Sequence, residues 1–337
     1  MRRIAVVLGG RSSEHDISVA SAQSVIGALE AAGHEVLTVA IDRGGGWALG
    51  TGVAQLDGSE PGSRLPARLP SKEVATTLAD VDVVFPVLHG PFGEDGTVQG
   101  LLELAGVPYI GAGVLASALC MDKDVFKAVL RDHDIPVTAN ITLRAGDEVR
   151  NPFGYPCFIK PARLGSSVGI SKAHDDDELR AGVALAFEHD EKVLVEQFVD
   201  GIEVEVGVLG NRTPVASLPG EIVVTRNEWY DYEAKYDEGE MDLIVPARTS
   251  DLQLARAQEL AVNAFVATDC EGMARADLFV RSDGEVLVNE LNTIPGFTAT
   301  SVYARLFDAS GIPYPALLER LADLAVERFE RRARLRY

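Results

Sequence analysis

Cysteine is scarce: three residues, at 120, 157 and 270, in a chain of 337. The count is odd and no two fall at metal-site spacing, so neither a disulfide framework nor a cysteine metal site is expected. A reducing, cytoplasmic setting is. Long apolar runs are missing too. None approaches the ~18 residues that a membrane-crossing helix needs, so no membrane partner is expected. The opening MRRIAVVLGG places two arginines before an apolar run, as a secretion signal does. Ile4 to Leu8 is nevertheless too short for a signal core and ends in Gly-Gly. Positive charge is in deficit: 31 Lys and Arg against 51 Asp and Glu give −20. No basic stripe stands out, which argues against nucleic acid as a partner. A phosphate-bearing ligand would have to meet Lys and Arg gathered locally.

What is present reads as a mixed α/β chain of two or three domains without internal repeats. RIAVVLGG predicts a buried strand, ISVASAQSVIGALEAAGH a helix closed by Gly33, and EVLTVAI a second strand, the pattern of a parallel α/β unit. Residues 50–72, rich in Gly, Pro and Ser, read as a surface loop. VDVVFPVLHG predicts a strand ending at His89, GTVQGLLELAGV a helix and PYIG a short strand. CMDKDVFKAVLRDHDIP reads as one helix. Paired strands then take over: two around the glycine loop of CFIKPARLGSSVGISKA, and KVLVEQFV and IEVEVGVLG after the helix DDDELRAGVALAFEHD. YPALLERLADLAVERFERRARL predicts a closing helix whose basic tail frays. The domain limits expected are 1–119, an open parallel α/β unit; 120–197, a small α+β unit; and 198–337, a second α+β unit.

Several stretches combine charge with strand ends. In MARADLFVRSDGEVLVNELNTIPG the strand period of two puts Glu290 and Asn292 on one face, together with Val286 and Val288. A hairpin with a four-residue loop would set Asp277 opposite Glu290 and Arg275 opposite Asn292. Two carboxylates that close repel unless a cation lies between them, and oxygen ligands with room for water suit Mg²⁺ shared with phosphates. The plainer alternative is an edge hairpin with solvated charges. In FIKPARLGSSVGIS, Lys160 precedes Gly165-Ser166-Ser167 and Gly169, a loop whose N–H groups can wrap phosphate oxygens. It is not a Walker loop, since no Gly-Lys-Ser/Thr closes it, and a plain glycine hairpin is the alternative. Glu196 and Gln197 end a strand, where backbone and amide groups could meet an adenine edge. Glu14, in LGGRSSEHDIS, lies just before a helix, where an acid is common without function, but also at a parallel-sheet edge where ligands bind. His89 stands at another such edge, and a lone His is more often structural. YIGAGVLA matches a dinucleotide fingerprint, yet the acid it requires at the end of the next strand is absent.

Taken together, GGRSSEHDIS, LHGPFGEDG, ASALCMDKDVFK, FIKPARLGSSVGIS, WYDYEAKY, GMARADLF and VNELNTIPGFTATS resemble, in order and over nearly the whole length, the D-alanine–D-alanine ligases of the ATP-grasp superfamily. The resemblance implies a three-domain ATP-grasp fold with the metal-binding hairpin in the last domain. It implies ligation of two D-alanines to D-alanyl-D-alanine through a D-alanyl phosphate, for peptidoglycan precursors. It implies ATP as co-substrate, two Mg²⁺ (or Mn²⁺) ions held by Asp277, Glu290 and Asn292, and a homodimer. By the same pattern Lys123 and Lys160 contact phosphates and adenine, Glu196, Gln197 and Val199 receive adenine, Glu203 the ribose, and Lys235 the transferring phosphoryl group. Glu14 takes the first ammonium with His89 nearby. Ser166, Tyr236 and Glu14 lock the loop 226–240 as a lid. Arg275 and the Gly296 N–H form an oxyanion hole, and Ser301 and Val302 hold the second carboxylate. Leu164, Gln197 and Ile294 depart from the commoner Glu, Lys and Ser, which puts one adenine contact in doubt. The rival readings are a D-alanine–D-lactate ligase, another ATP-grasp carboxylate–amine ligase, and a non-catalytic ATP-binding subunit, which would not need the three metal ligands.

Overall fold

The computed structural model describes residues 1–50, 72–224 and 241–336. The loop expected at 50–72, apart from its two end residues, and the lid expected at 226–240 lie outside the described residues. β1 (Arg3–Gly9) is buried along almost its whole length, as strands of parallel sheets are. α1 (His15–Ala31) returns the chain, and β2 (Glu35–Ile41) lies parallel to β1 with Ile4 beside Val36. β3 (Trp47–Leu49) adds an antiparallel edge. After α2 (Lys72–Ala79), β4 (Val83–Pro86) pairs with the other side of β1. β1 is therefore flanked by β2 and β4, and the crevice beyond its carboxyl end is the switch point where open α/β sheets take ligands.

The strand expected to reach His89 stops at Pro86. Ser18 of α1 inserts its hydroxyl at the strand ends, accepting from Gly9 N at 2.8 Å and donating to Val87 O. A side chain has replaced the next rung, and the chain leaves the sheet with His89 in the loop beyond. α3 (Thr97–Ala105) follows. The strand expected at PYIG is a single parallel bridge between Tyr109 and Val84. The one helix expected over residues 120–136 is two, α4 (Val114–Met121) and α5 (Lys123–Asp132). They break at Asp122, whose carboxylate caps α5 by accepting from Val125 N at 3.1 Å.

β5 (Asn140–Arg144), β6 (Cys157–Pro161), β7 (Ser171–Ala173) and β8 (Lys192–Gln197) form an antiparallel sheet in the order β5-β8-β6-β7. α6 (Asp176–Phe187) packs on it, capped by Asp175. The third sheet holds β9 (Gly201–Gly210), β10 (Val215–Ala216), β11 (Gly220–Val224) and β12 (Met241–Ile244). After α7 (Asp251–Ala267) it is completed by β13 (Gly272–Arg281) and β14 (Val286–Asn292). Its order is β12-β11-β9-β13-β14, with β10 beside β9. Val204, Val206 and Val208 pack with Ala274, Ala276 and Leu278 beneath α7 residues such as Leu260 and Phe265. Strand alternation leaves Glu203, Glu205, Arg275 and Asp277 on the other face.

The hairpin of β13 and β14 departs from expectation twice. Its loop is three residues, Ser282–Gly284, closed by Arg281 N donating to Glu285 O at 2.9 Å. A β-bulge then puts Asn289 into β14, so that Leu278 pairs with Val288 while Asp277 pairs with Glu290. Val286 and Val288 face the core, not the side of Glu290 and Asn292. The shorter loop and the extra residue cancel, so Asp277 still faces Glu290 and Arg275 faces Asn292. Bulges recur where a sheet re-aims side chains beside a site.

α8 (Val302–Ala309) leads to α9 (Tyr314–Ala333), which crosses back to the first sheet. Leu317, Leu318 and Leu321 share a core with Ile4, Val6 and Phe85. The basic end expected to fray is tied down. Arg328, buried, donates to Tyr109 O at 2.8 Å and to Gly111 O, and Arg332 reaches Glu103 at 2.8 Å.

Candidate active site

Two cavities meet at Glu290. The first, about 210 Å³, lies between the second and third sheets. Lys160, Glu196, Gln197, Val199, Glu203 and Asp277 line it, together with Glu205 and Asn289, which sequence reasoning did not select. Lys160 Nζ donates to Glu196 Oε1 at 2.5 Å, and lies 3.4 Å from Asn289 Oδ1. Glu196 is buried. Burial pushes its carboxyl up, but the charges of Lys127 and Lys160 overcome this and hold it at about 2. Lys127 closes the motif ASALCMDKDVFK but was given no role there, although its place one turn after Lys123 was a readable signal.

The glycine loop between β6 and β7 is sharply folded: Ser166 and Ser167 have φ of 49° and 58°, in the left-handed region that non-glycine residues seldom occupy. Arg163 secures its base on Asp190, Nη2 donating to Oδ1 at 2.6 Å. Lys123 Nζ donates to Leu164 O at 2.8 Å and lies 3.5 Å from Glu290 Oε2.

The second cavity, about 500 Å³, is lined by Glu14, His89, Glu94, Ser166, Arg275, Glu290, Asn292, Gly296, Ser301 and Val302, so the residues expected at the substrate share one space. Glu14, at the N-cap of α1, does not cap it. Its carboxylate instead accepts from Ser166 Oγ, which joins the first sheet to the glycine loop. Tyr236, the third member of the expected network, and Lys235 lie outside the described residues. Gly90 must be glycine: φ is +72° and a Cβ there would lie 2.6 Å from Glu14 Oε2. His89 Nδ1 lies 3.0 Å from Ile294 O and 3.4 Å from Glu94 Oε1. Its Nε2 is buried and has no hydrogen-bond partner among the described residues. Burial pushes the imidazole down, but Glu94 and Glu14 outweigh it and the value lies above the ordinary one. Glu94 was missed, although it stands in the same GEDG stretch that drew attention to His89. Burial first, then the Glu14 charge, lifts its carboxyl to about 6, against the pull of His89.

On the third sheet, Arg275 forks onto Asp277, Nε to Oδ1 at 2.7 Å and Nη2 to Oδ2 at 2.7 Å. Glu205 Oε2 lies 2.9 Å from Nε as a second ion-pair contact. Asn292 Nδ2 donates to Asp277 Oδ2 at 2.9 Å. Ser301 starts α8, its Oγ accepting from Thr298 N at 2.9 Å, and its hydroxyl lies 3.3 Å from where a Gly296 Cβ would stand. No cluster of three His, Cys, Asp or Glu able to hold a metal exists among the described residues. The candidate set is two carboxylates and an amide, all oxygen donors.

Two family models match the chain: D-ala D-ala ligase N-terminus over residues 3–112 and D-ala D-ala ligase C-terminus over 128–323. A D-alanine--D-alanine ligase of Heliobacterium modesticaldum is 46% identical, the alignment covering 98% of this chain and 96% of that protein. The crystal structure of the VanG D-Ala:D-Ser ligase from Enterococcus faecalis superposes with a TM-score of 0.81 at 34% identity, covering 96% of this chain and 99% of that one. A D-alanine--D-alanine ligase of Bacillus anthracis complexed with ATP gives 0.79 at 26% identity, covering 98% and 100%.

Proposed function

The chain belongs to the D-alanine–D-alanine ligase family, and from that premise we propose how its residues join two D-alanines at the expense of ATP. The observation that carries the reading is the shared wall: Glu290 borders both cavities. A nucleotide in the first would present its terminal phosphate to a carboxylate in the second.

Adenine lies against Glu196, Gln197 and Val199, the ribose at Glu203, and the phosphates run toward Lys160, Lys123 and the glycine loop. Lys235 is assigned to the transferring phosphoryl group. Glu14, with His89 and Glu94, takes the first ammonium. The first carboxylate attacks the γ-phosphorus, the bond to the β,γ-bridging oxygen breaks and ADP leaves, and the acyl phosphate formed is a better electrophile than the carboxylate. The second amine attacks its carbonyl carbon and phosphate leaves. Arg275 and the Gly296 N–H stabilise the oxyanion, Ser301 and Val302 hold the second carboxylate, and Tyr236 with Ser166 and Glu14 closes the lid that keeps water from the intermediate. Asp277, Glu290 and Asn292 fit Mg²⁺ or Mn²⁺, since their donors are oxygens and Glu290 adjoins the phosphate path. When bound, such ions neutralise phosphate charge.

Domain limits of 1–119, 120–197 and 198–337 suit this reading, because each sheet falls within one of them. A cytoplasmic homodimer belongs to it as well. Leu104 and Leu115, 90% and 61% exposed on α3 and α4, offer an apolar face, and no described helix is long and apolar enough to cross a membrane.

The test is phosphate release from ATP and Mg²⁺ with D-alanine, with the products separated. Phosphate and D-alanyl-D-alanine should appear in equal amounts. The VanG D-Ala:D-Ser ligase gives a reason to offer D-serine as a competing second substrate, and the rival depsipeptide reading a reason to offer D-lactate. If either dominates the product at neutral pH, the dipeptide assignment is overturned while the ligase class stands.

A further inference from the structure

α5 presents two lysines one turn apart, and they do different things. Lys123 reaches the glycine loop and Glu290. Lys127 points to the other end of the first cavity but is not among its lining residues. Its ammonium donates to Thr138 Oγ1 and to Glu196 Oε2, and Lys127, Thr138 and Glu196 are each no more than 1% exposed. The two Glu196 oxygens are thus divided: Oε2 goes to Lys127 and Oε1 to Lys160. Only Glu196 and Lys160 of this trio line the cavity.

Charge accounts for the arrangement. Two ammonium groups share the single buried carboxylate of Glu196, so Glu196 neutralises only one of them, and Glu290 and Glu203 attract Lys160 from farther away. Without Lys127 the remaining pair would be neutral, and the Lys160 ammonium would be drawn to both carboxylate oxygens, away from Asn289 and the phosphate path. Burial lowers Lys127 to about 8, against the attraction of Glu196, so it is still charged at neutral pH.

We propose that Lys127 is a positioning residue for nucleotide binding. It occupies one oxygen of Glu196, so that Lys160 shares this carboxylate instead of being fully paired with it and keeps charge to give to the nucleotide. The proposal rests on the reading that the first cavity takes ATP.

The experiment is calorimetric titration of the intact protein with ATP in the presence of Mg²⁺ and without D-alanine, beside steady-state kinetics. Lys127→Met should weaken ATP binding about tenfold or more, because the lost charge acts in a low-dielectric site. Its kcat at saturating ATP and its KM for D-alanine should stay within about threefold, as expected when only uniform binding is lost. Lys127→Arg should recover most of the affinity. If Lys127→Met does not fold, Lys127→Gln keeps a hydrogen-bond donor without the charge and must show the same loss. Unchanged ATP affinity in the folded charge-free variant overturns the proposal, as does a Lys127→Arg variant that recovers none of the affinity. Lys160→Met is the control: if it too leaves ATP affinity unchanged, the reading of the cavity fails, whereas a loss confined to Lys160→Met sinks only the role of Lys127.

Discussion

In the first sheet, Glu14 and His89 lie in loops past the carboxyl ends of β1 and β4. In the third, Arg275, Asp277, Glu290 and Asn292 lie on the strands themselves. The cause is burial. A parallel strand covered on both faces has no side to spare, so polar groups collect where it ends. An antiparallel sheet covered by α7 on one face and by α8 on part of the other keeps the remainder of that second face for chemistry. Residues of the first kind are held by whatever packs on the loop, as Ser166 holds Glu14 while Gly90 leaves it room. Residues of the second kind are held by register.

The largest effect is expected on the strand face. Glu290→Gln should reduce kcat roughly 10³-fold, because metal-assisted charge stabilisation is worth several kcal/mol. Glu290 is only half-buried, so the melting temperature should barely move, and calorimetric melts beside steady-state rates would check both. A variant that keeps near-parental turnover would break the contrast at its strongest point. Arg275→Lys, on the same face, should lower kcat about 10²-fold while KM for ATP changes little, since lysine keeps the charge but not the fork. A change confined to ATP affinity would remove Arg275 from the oxyanion role.

Loop-held residues should act through affinity. Ser166→Ala deletes a hydrogen bond to the Glu14 carboxylate, worth about 1.5–3 kcal/mol for a charged partner. KM for the first D-alanine should rise about tenfold or more, with kcat less affected. The smallest effect is a pH dependence. With Glu94 at about 6, lowering the pH from 7 to 5 protonates it and removes an attraction for the ammonium. KM for D-alanine should rise a few-fold with a midpoint near that value, and Glu94→Gln should be flat over this range. The stability effect has the opposite sense. A carboxyl raised in the folded state contributes fully below its ordinary value of 4.5 and loses that contribution as pH rises through about 6. Glu94→Gln should therefore melt above the parent at pH 8, with the gap closed below pH 4.5.

The same contrast explains what the sequence allowed to be read. Apolar runs and alternation expose strand faces, so the pairing of Asp277 with Glu290 was accessible from spacing. It was reached through two errors that cancelled, the loop length and the Asn289 bulge, neither of which periodicity reports. Loop-held groups are brought together by tertiary packing alone. The Ser166–Glu14 bond spans 152 residues, and for it the resemblance of the motifs carried what spacing could not. The strand stop at Pro86 was invisible because Ser18, on a different element, supplies the rung. Lys127 and Glu94 were passed over because each stood beside a residue that had already drawn the reading.

The crossing of α9 back onto the first sheet governs the order in which the chain can be completed during synthesis. β1 and β4 emerge early, but Leu317, Leu318 and Leu321, which cover one of their faces, emerge last. At ~5–20 residues per second the interval is on the order of 10–40 s. Throughout that time Ile4, Val6 and Phe85 have α1 residues such as Val25 and Leu29 beside them but lack the cover that α9 supplies, and Arg328 has not yet reached the carbonyls of Tyr109 and Gly111. A ribosome stalled before residue 314 would hold an unfinished first sheet with an open apolar face. Until α9 is made, the nascent chain carries exposed apolar surface of the kind that makes incomplete chains prone to aggregate.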